Sequence, residues 1–293
     1  MLTRRGFNLM ACAAGGWIVF GRSAAASPSA PRFAADMAQL EARSGGRLGV
    51  AVIDSKDGTL TQHRGEERFP MCSTFKVLAS AAVLKSAGVD LAGLQRRLRF
   101  EKSDLVEYSP VTGERTGGDG MSLAELCEAA ITRSDNTAGN LLLKTIGGPE
   151  GLTSFARGLG DEVTRLDRIE TELNEANPGD VRDTTSPNAM AANMRKLLLG
   201  DALIPAARDQ LAAWMAANKT GDTRLRAGLP QNWRVGDKTG TGRRGTNNDI
   251  AIVSPPGRPP LIVAAYLTGA NIDMGGQNEI IASIGRAVGD AFG

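Results

Sequence analysis

The alternation of apolar and polar positions puts strands at the two ends of the chain and helices between them. Residues 32–44 carry Phe33, Met37 and Leu40 on one helical face, and Gly45-Gly46 closes the pattern. Leu48, Val50, Val52 and Ile53 then read as a strand over 47–54, which Asp57-Gly58 turns back into 59–64 as a hairpin. After Pro70 the period becomes helical. Segments 73–87, 122–132, 135–146, 150–158, 187–199 and 205–217 all show it, with Gly, Pro, Ser or Asp at their boundaries. Strand patterning returns at 233–239, 248–254 and 261–268, separated by Gly240, Gly242 and Gly245 and by Pro255-Pro256-Gly257. A last helix covers 277–291. The expected fold class is α/β (α+β): one antiparallel sheet built from both chain ends, flanked by helices, with an all-helical domain inserted. That assigns 27–68 and 218–293 to a discontinuous α/β domain and 69–217 to the helical one. No internal repeat, low-complexity segment or interdomain linker interrupts the pattern.

The first residues change the picture of where the protein works. Thr3-Arg4-Arg5-Gly6-Phe7 is a twin-arginine pattern, an apolar stretch runs from Leu9 to Phe20, and Ala24-Ala25-Ala26 offers small residues for cleavage. Roughly twelve apolar-leaning residues are too few to span a bilayer. Residues 1–26 are therefore expected to be a signal peptide, and the protein to be exported to the periplasm without a stable membrane anchor. The mature chain would begin near Ser27 and lose Cys12. A formal charge of +2 with scattered basic residues carries no nucleic-acid footprint. Cys72 and Cys127 stand outside any Cys-x-x-Cys spacing and read as small buried hydrophobes, although an oxidising compartment would permit a disulfide. His63 is the single histidine, which rules out a histidine-rich zinc site and leaves any Ser-His-Asp triad resting on one residue. It reads more simply as a surface strand residue.

Four short motifs carry candidate chemistry. Ser73 and Lys76 are one helical turn apart, so both side chains lie on one face. A helix opening at Ser73 would favour an alkoxide there, and dipole and burial together would weaken the hold of Lys76 on its proton. Taken by itself, the pair reads more simply as a helix cap beside an ordinary surface lysine. Ser134-Asp135-Asn136 places a hydroxyl and an amide between two helices, or simply caps one. Glu170-Thr171-Glu172-Leu173-Asn174 falls in a stretch without period, from about Arg165 to Asp183, that could be a solvated loop. Lys238-Thr239-Gly240 lies on the strand after Trp233, where Gly240 and Gly242 would let a ligand approach the backbone.

In this order the four motifs resemble those of the class A serine β-lactamases, and the resemblance spans the mature chain. It includes Arg165-Leu166-Asp167-Arg168 before the glutamate and Arg182-Asp183-Thr184-Thr185 after it. The resemblance implies that Ser73 attacks a β-lactam carbonyl inside an oxyanion hole made by the N–H groups of Ser73 and Thr241. Either Lys76, or Glu170 through a water, would take the serine proton. Ser134, linked to Lys76 and Lys238, would return a proton to the departing ring nitrogen. Asn136 would hold the substrate's side-chain amide. Glu170 and Asn174 would hold the hydrolytic water, with Arg168 and Asp183 pairing across the neck of their loop. Lys238, Thr239, Gly240 and Thr241 would meet the substrate carboxylate, with Arg224 supplying the arginine that Asn247 cannot. Tyr108 would wall the cleft.

The expected ligands are penicillins, cephalosporins and mechanism-based inhibitors, acting on a monomer with no cofactor and no metal. Two departures qualify this. A disulfide found in some members would pair Cys127 with the position of Ser80, and Cys72 lies roughly 12 Å from that position along a helix at ~1.5 Å per residue, beyond the ~7 Å limit on Cα separation. The partner that carbapenem-hydrolysing members give to the position of Cys72 is Gly242, which leaves carbapenem hydrolysis open. Ile169 stands where a tryptophan is common. A DD-peptidase or transpeptidase, or a β-lactam sensor domain, would share the nucleophile motifs. The stretch from Glu170 to Asn174 argues against the peptidase, and the lack of a spanning segment argues against the sensor.

Overall fold

The computed structural model describes residues 30–293; the expected signal peptide and Cys12 lie outside the described residues. In chain order the elements are α1 (Ala30–Ser44), β1 (Arg47–Asp54), β2 (Leu60–His63), β3 (Phe69–Pro70), α2 (Phe75–Ser86), β4 (Arg97–Leu98), β5 (Met121–Ser122), α3 (Leu123–Thr132), α4 (Asn136–Thr145) and α5 (Gly148–Gly158). They continue with β6 (Thr184–Thr185), α6 (Pro187–Leu198), α7 (Pro205–Ala216), α8 (Leu225–Gly228), β7 (Arg234–Gly242), β8 (Thr246–Ser254), β9 (Leu261–Thr268) and α9 (Met274–Phe292). The main sheet runs β2-β1-β9-β8-β7 and is antiparallel throughout.

Alternation along the strands feeds two cores. Leu48, Val50 and Val52 of β1 and Val263, Ala265 and Leu267 of β9 share one apolar cluster with Phe33, Met37 and Leu40 of α1 and Ile280, Ile284 and Val288 of α9. Ala51 and Ile53, with Ile262, Ala264 and Tyr266, join the cluster that contains α2, α3, α6 and α7. A slip of one residue in the β1–β9 register would exchange the two sets, so burial on both faces specifies the pairing. Helix α2 is buried at every position from Phe75 to Leu84. It lacks a polar stripe because α3, α4, α5 and α7 surround it.

Three differences from the sequence reading have local causes. Strand β7 runs to Gly242, because Gly240 and Gly242 stay extended and pair with Asn248 and Thr246. Helix α9 begins at Met274 and not at 277, because the Asp273 carboxylate caps it by accepting the Gly276 N–H at 2.7 Å. The two-residue pairs β3–β6 and β4–β5 carry too few residues to show a period.

His63 lies on β2, where its Nε2 is 2.8 Å from Glu41 Oε2 of α1. Arg64 donates to both oxygens of Glu41, at 2.7 and 2.8 Å. The hydrogen bonds from Arg64 lower the Glu41 pKa from an ordinary 4.5 to about 2. A depressed carboxylate adds stability above its unfolded pKa and loses it as pH falls through the folded one. Glu41→Gln should therefore lower the melting temperature near neutral pH, with the difference from the parent closing between about 4.5 and about 2. Thermal melts of both proteins across that range check it.

Candidate active site

Ser73 sits in a single 3-10 turn, Cys72–Thr74, immediately before α2, and not within the α-helix itself. Its hydroxyl opens onto a cleft of about 490 Å3 whose lining includes Tyr108, Ser134, Asn136, Asn174, Arg224, Thr239 and Thr241. Lys76, Glu170 and Lys238 are almost wholly buried behind that surface. The i, i+3 spacing brings Lys76 Nζ to 2.8 Å from Ser73 Oγ. Three further oxygens surround the same nitrogen: Asn136 Oδ1 at 2.6 Å, Ser134 O at 2.9 Å and Glu170 Oε1 at 2.9 Å. An ammonium has three protons to offer this cage and a neutral amine only two. Burial works the other way and lowers the Lys76 pKa, with the Glu170 carboxylate opposing it.

Glu170 reaches the centre from the loop between Arg165 and Asp183. Its Oε1 accepts the Ser73 hydroxyl at 3.1 Å, within direct hydrogen-bond range, where the sequence reading expects a bridging water. Asn174 Nδ2 donates to Oε2 at 2.5 Å, while Asn174 Oδ1 has no partner within the protein. Asp183 closes the neck of the loop. Its carboxylate accepts the N–H groups of Asp167 and Arg168 at 2.8 and 2.9 Å and Arg168 Nε at 2.6 Å. Asp183 is 1% exposed, so this is a buried carboxylate with its lone pairs filled and not a solvent-screened surface pair.

Asn140 escapes the sequence reading. Its Oδ1 accepts the Glu170 N–H at 2.8 Å and its Nδ2 donates to the Glu170 carbonyl at 2.9 Å, clamping the backbone on both sides of the carboxylate. The available signal was its place four residues after Asn136, on the same face of α4.

The opposite wall comes from edge strand β7. Lys238 Nζ donates to Ser134 Oγ at 2.9 Å and to Thr239 O at 2.7 Å. Burial first, and then the neighbouring charges of Lys76 and Arg224, push the Lys238 pKa well down. Ser134 is thus linked to Lys238 through its hydroxyl and to Lys76 only through its carbonyl, a distinction invisible in sequence. Asn136 spends its amide within the protein, accepting from Lys76 and donating to Glu107 O at 2.9 Å. Arg224 lies along β7 and β8, donating to Gly240 O at 2.9 Å, Asn248 O at 2.8 Å and Thr241 Oγ1 at 2.6 Å. Its Nε meets Asn278 Oδ1 at 3.2 Å, and Asn247 Nδ2 meets the same oxygen at 2.9 Å. Asn278 comes from α9, and no spacing in the sequence points to it. Gly240 is required by space: an added Cβ would stand 2.8 Å from Met71 O.

Tyr108 is 58% exposed at the rim, and its carbonyl accepts the Asn136 N–H at 3.0 Å. Cys72 and Cys127 are both free and buried; burial raises both thiol pKa values, that of Cys127 to about 12. Among the described residues no cluster of three or more His, Cys, Asp or Glu side chains could hold a metal, and no helix is long and apolar enough to cross a membrane.

A serine hydroxyl held between a buried lysine and a buried carboxylate, with a second lysine–serine pair across the cleft, is equipment for covalent acyl transfer. The chain belongs to the β-lactamase enzyme family, whose match covers residues 32–292, and within it to class A. It is 51% identical over 263 residues to β-lactamase AST-1 of Nocardia asteroides, covering 90% of this chain and 83% of that one. Against β-lactamase OXY-1 of Klebsiella oxytoca it is 50% identical over 252 residues, 86% of each chain. Among solved structures, the ancestral class A β-lactamase GNCA matches with 62% identity and a TM-score of 0.87, over 89% of this chain and 100% of that one.

Proposed function

We propose that this protein hydrolyses the β-lactam ring of penicillins and cephalosporins through an acyl-enzyme on Ser73, and so confers antibiotic resistance. Ser73 Oγ forms a bond to the lactam carbonyl carbon as its proton leaves for the Lys76–Glu170 pair. The N–H groups of Ser73 and Thr241 receive the developing oxyanion. The ring C–N bond breaks, and the nitrogen takes a proton from Ser134, whose hydroxyl Lys238 supports and which is restored by the proton that the Lys76–Glu170 pair took from Ser73. A water then bonds to the acyl carbon as its proton passes to Glu170, and the ester C–O bond breaks with that proton returned to Ser73 Oγ, which restores both the serine and the carboxylate. Asn174 Oδ1, which has no protein partner, would receive a hydrogen bond from that water, and Asn136 would release Lys76 in part to hold the substrate's side-chain amide. Residues 69–217 are read as the inserted helical domain, and 1–26 as a twin-arginine signal that delivers a monomer to the periplasm.

The observation that carries this reading is the Glu170 carboxylate, within 3.1 Å of the nucleophile and clamped by Asn140 and Asn174. Without a positioned base an acyl-serine persists, as it would in a transpeptidase or a sensor. Steady-state hydrolysis of a penicillin and a chromogenic cephalosporin by the purified chain tests the proposal. Many turnovers per molecule are expected. Release of a single equivalent would sink it.

Arg224 carries a narrower expectation. With Lys238, Thr239 and Thr241 it would bind the carboxylate common to these substrates, an interaction similar in the ground and transition states. Arg224→Ala should raise KM about tenfold or more with a smaller change in kcat, because uniform binding is lost. If KM holds and only the melting temperature falls, Arg224 is a structural clamp for β7 and β8.

A further inference from the structure

A second cavity, of about 580 Å3, lies apart from the catalytic cleft, on the flank of the loop that carries Glu170. One wall is the loop segment 176–181, and the other is formed by the start of β1, the end of β9 and the β7–β8 turn. Pro70, Pro178 and Val181 make its lining largely apolar, and Val181 is 49% exposed. Three arginines, Arg47, Arg68 and Arg244, are among the residues that line it.

Their charges are unequally matched. Arg47 is paired with Glu67 at 2.7 Å and stacked over the Phe69 ring. Arg68 is half-buried, yet its hydrogen bonds go to neutral groups: Val163 O at 2.7 Å and Thr184 Oγ1 at 3.1 Å. Arg244 is exposed and gives its Nε to Asn177 Oδ1 at 3.1 Å. Among the described residues neither Arg68 nor Arg244 has a carboxylate within 4.0 Å. One carboxylate, Asp180, also lines the cavity, but it is committed to Arg182 at 2.7 Å and to Arg168 at 3.6 Å, and Glu67 nearby is committed to Arg47 and Arg64. A half-buried guanidinium without a counter-ion is unusual, because desolvating a charge is compensated only by pairing. One such half-buried cation, Arg68, together with the exposed and equally unmatched Arg244 at one apolar cavity of ligand size, favours an anion with an apolar body.

The geometry points to this cavity as a binding site for an amphiphilic carboxylate, its head between Arg68 and Arg244 and its chain along Pro70, Pro178 and Val181. The site is joined to catalysis through the backbone. Arg243, next to Arg244, donates its N–H to Asn174 O at 2.9 Å, and the wall 176–181 continues directly from Asn174. A bound ligand would therefore stiffen the segment that holds Glu170 and change turnover without entering the cleft.

Decanoate, below its micelle-forming concentration, is the probe. Calorimetry on the full mature chain should find one saturable site, and steady-state hydrolysis of a chromogenic cephalosporin should show a non-competitive change. Arg244→Glu should weaken decanoate by at least roughly tenfold, the scale of one charge-assisted hydrogen bond, and leave hydrolysis without decanoate within about twofold of the parent. Arg244 has φ +56°, so Arg244→Asn, which tolerates that conformation, is the second variant and should weaken binding less than the charge reversal. Decyltrimethylammonium should not bind. Absence of saturable binding, equal affinity in both variants, or purely competitive inhibition, which would put decanoate at Lys238 and Arg224, overturns the inference. The calorimetric arm stands whether or not the hydrolytic reading does, and this separates the failure of one from the failure of the other.

Discussion

Glu170→Ala is expected to open one equivalent of β-lactam per molecule and then stall. In the proposed mechanism this buried carboxylate activates water against the ester, and positioned bases contribute roughly 10²–10⁴ in rate. Steady-state kcat should fall by about that factor while the burst amplitude stays near one. The variant should fold, because the Lys76 ammonium keeps three acceptors for its three protons, in Ser73 Oγ, Ser134 O and Asn136 Oδ1. Stopped-flow absorbance, with intact mass to detect the adduct on Ser73, measures both. The pH dependence of the burst separates the two candidate acylation bases. Burial already lowers the Lys76 pKa, and Glu170 is the main group holding it up. In the variant that pKa drops further, so neutral amine becomes available at lower pH. If Lys76 is the acylating base, the burst rate rises with pH through this lowered pKa. A variant that neither bursts nor turns over would assign both proton transfers to Glu170.

The second large effect concerns the same pair from the other side. Lys76→Met should slow acylation by roughly 10²–10⁴, since it removes the donor to Ser73 Oγ and one of the two proton carriers. It should also destabilise the protein, for a reason unrelated to catalysis. Both side chains of the Lys76–Glu170 pair are fully buried and their atoms are 2.9 Å apart, and removing one partner of a buried pair typically costs about 3–5 kcal/mol because the other charge is stranded. Removing both should cost much less. Lys76→Met/Glu170→Gln is therefore expected to be more stable than Lys76→Met alone, though equally inactive. Urea unfolding of the parent, Lys76→Met, Glu170→Gln and the double variant closes the cycle. A double variant no more stable than Lys76→Met would mean that the lysine acts through packing and not through its charge.

Some features of the site follow from chain geometry alone. Ser73 and Lys76 are three residues apart on helical backbone, so their meeting needs no tertiary information. Period two in β1 and β9 and period 3.6 in amphipathic helices such as α1 and α9 likewise sort residues onto faces before any packing is known. The loop that holds Glu170 is recognisable by its lack of period, from about Arg165 to Asp183. The family resemblance then supplies an order for the motifs, but no distances.

Only the tertiary structure could bring Glu170 to Ser73, a contact that spans 97 residues of sequence. It alone decided that Lys76 meets the carbonyl of Ser134 and Lys238 its hydroxyl, that Asn140 clamps Glu170, and that Asn278 of α9 supports Arg224. The gathering of Arg47, Arg68 and Arg244 at one cavity belongs with these. Local periodicity records which way a side chain faces from its own element, because that depends on dihedral angles repeated along a few residues. Which distant group it meets depends on how whole elements pack, and the cost of closing long loops is repaid by burial spread over two cores, not by any short run of residues.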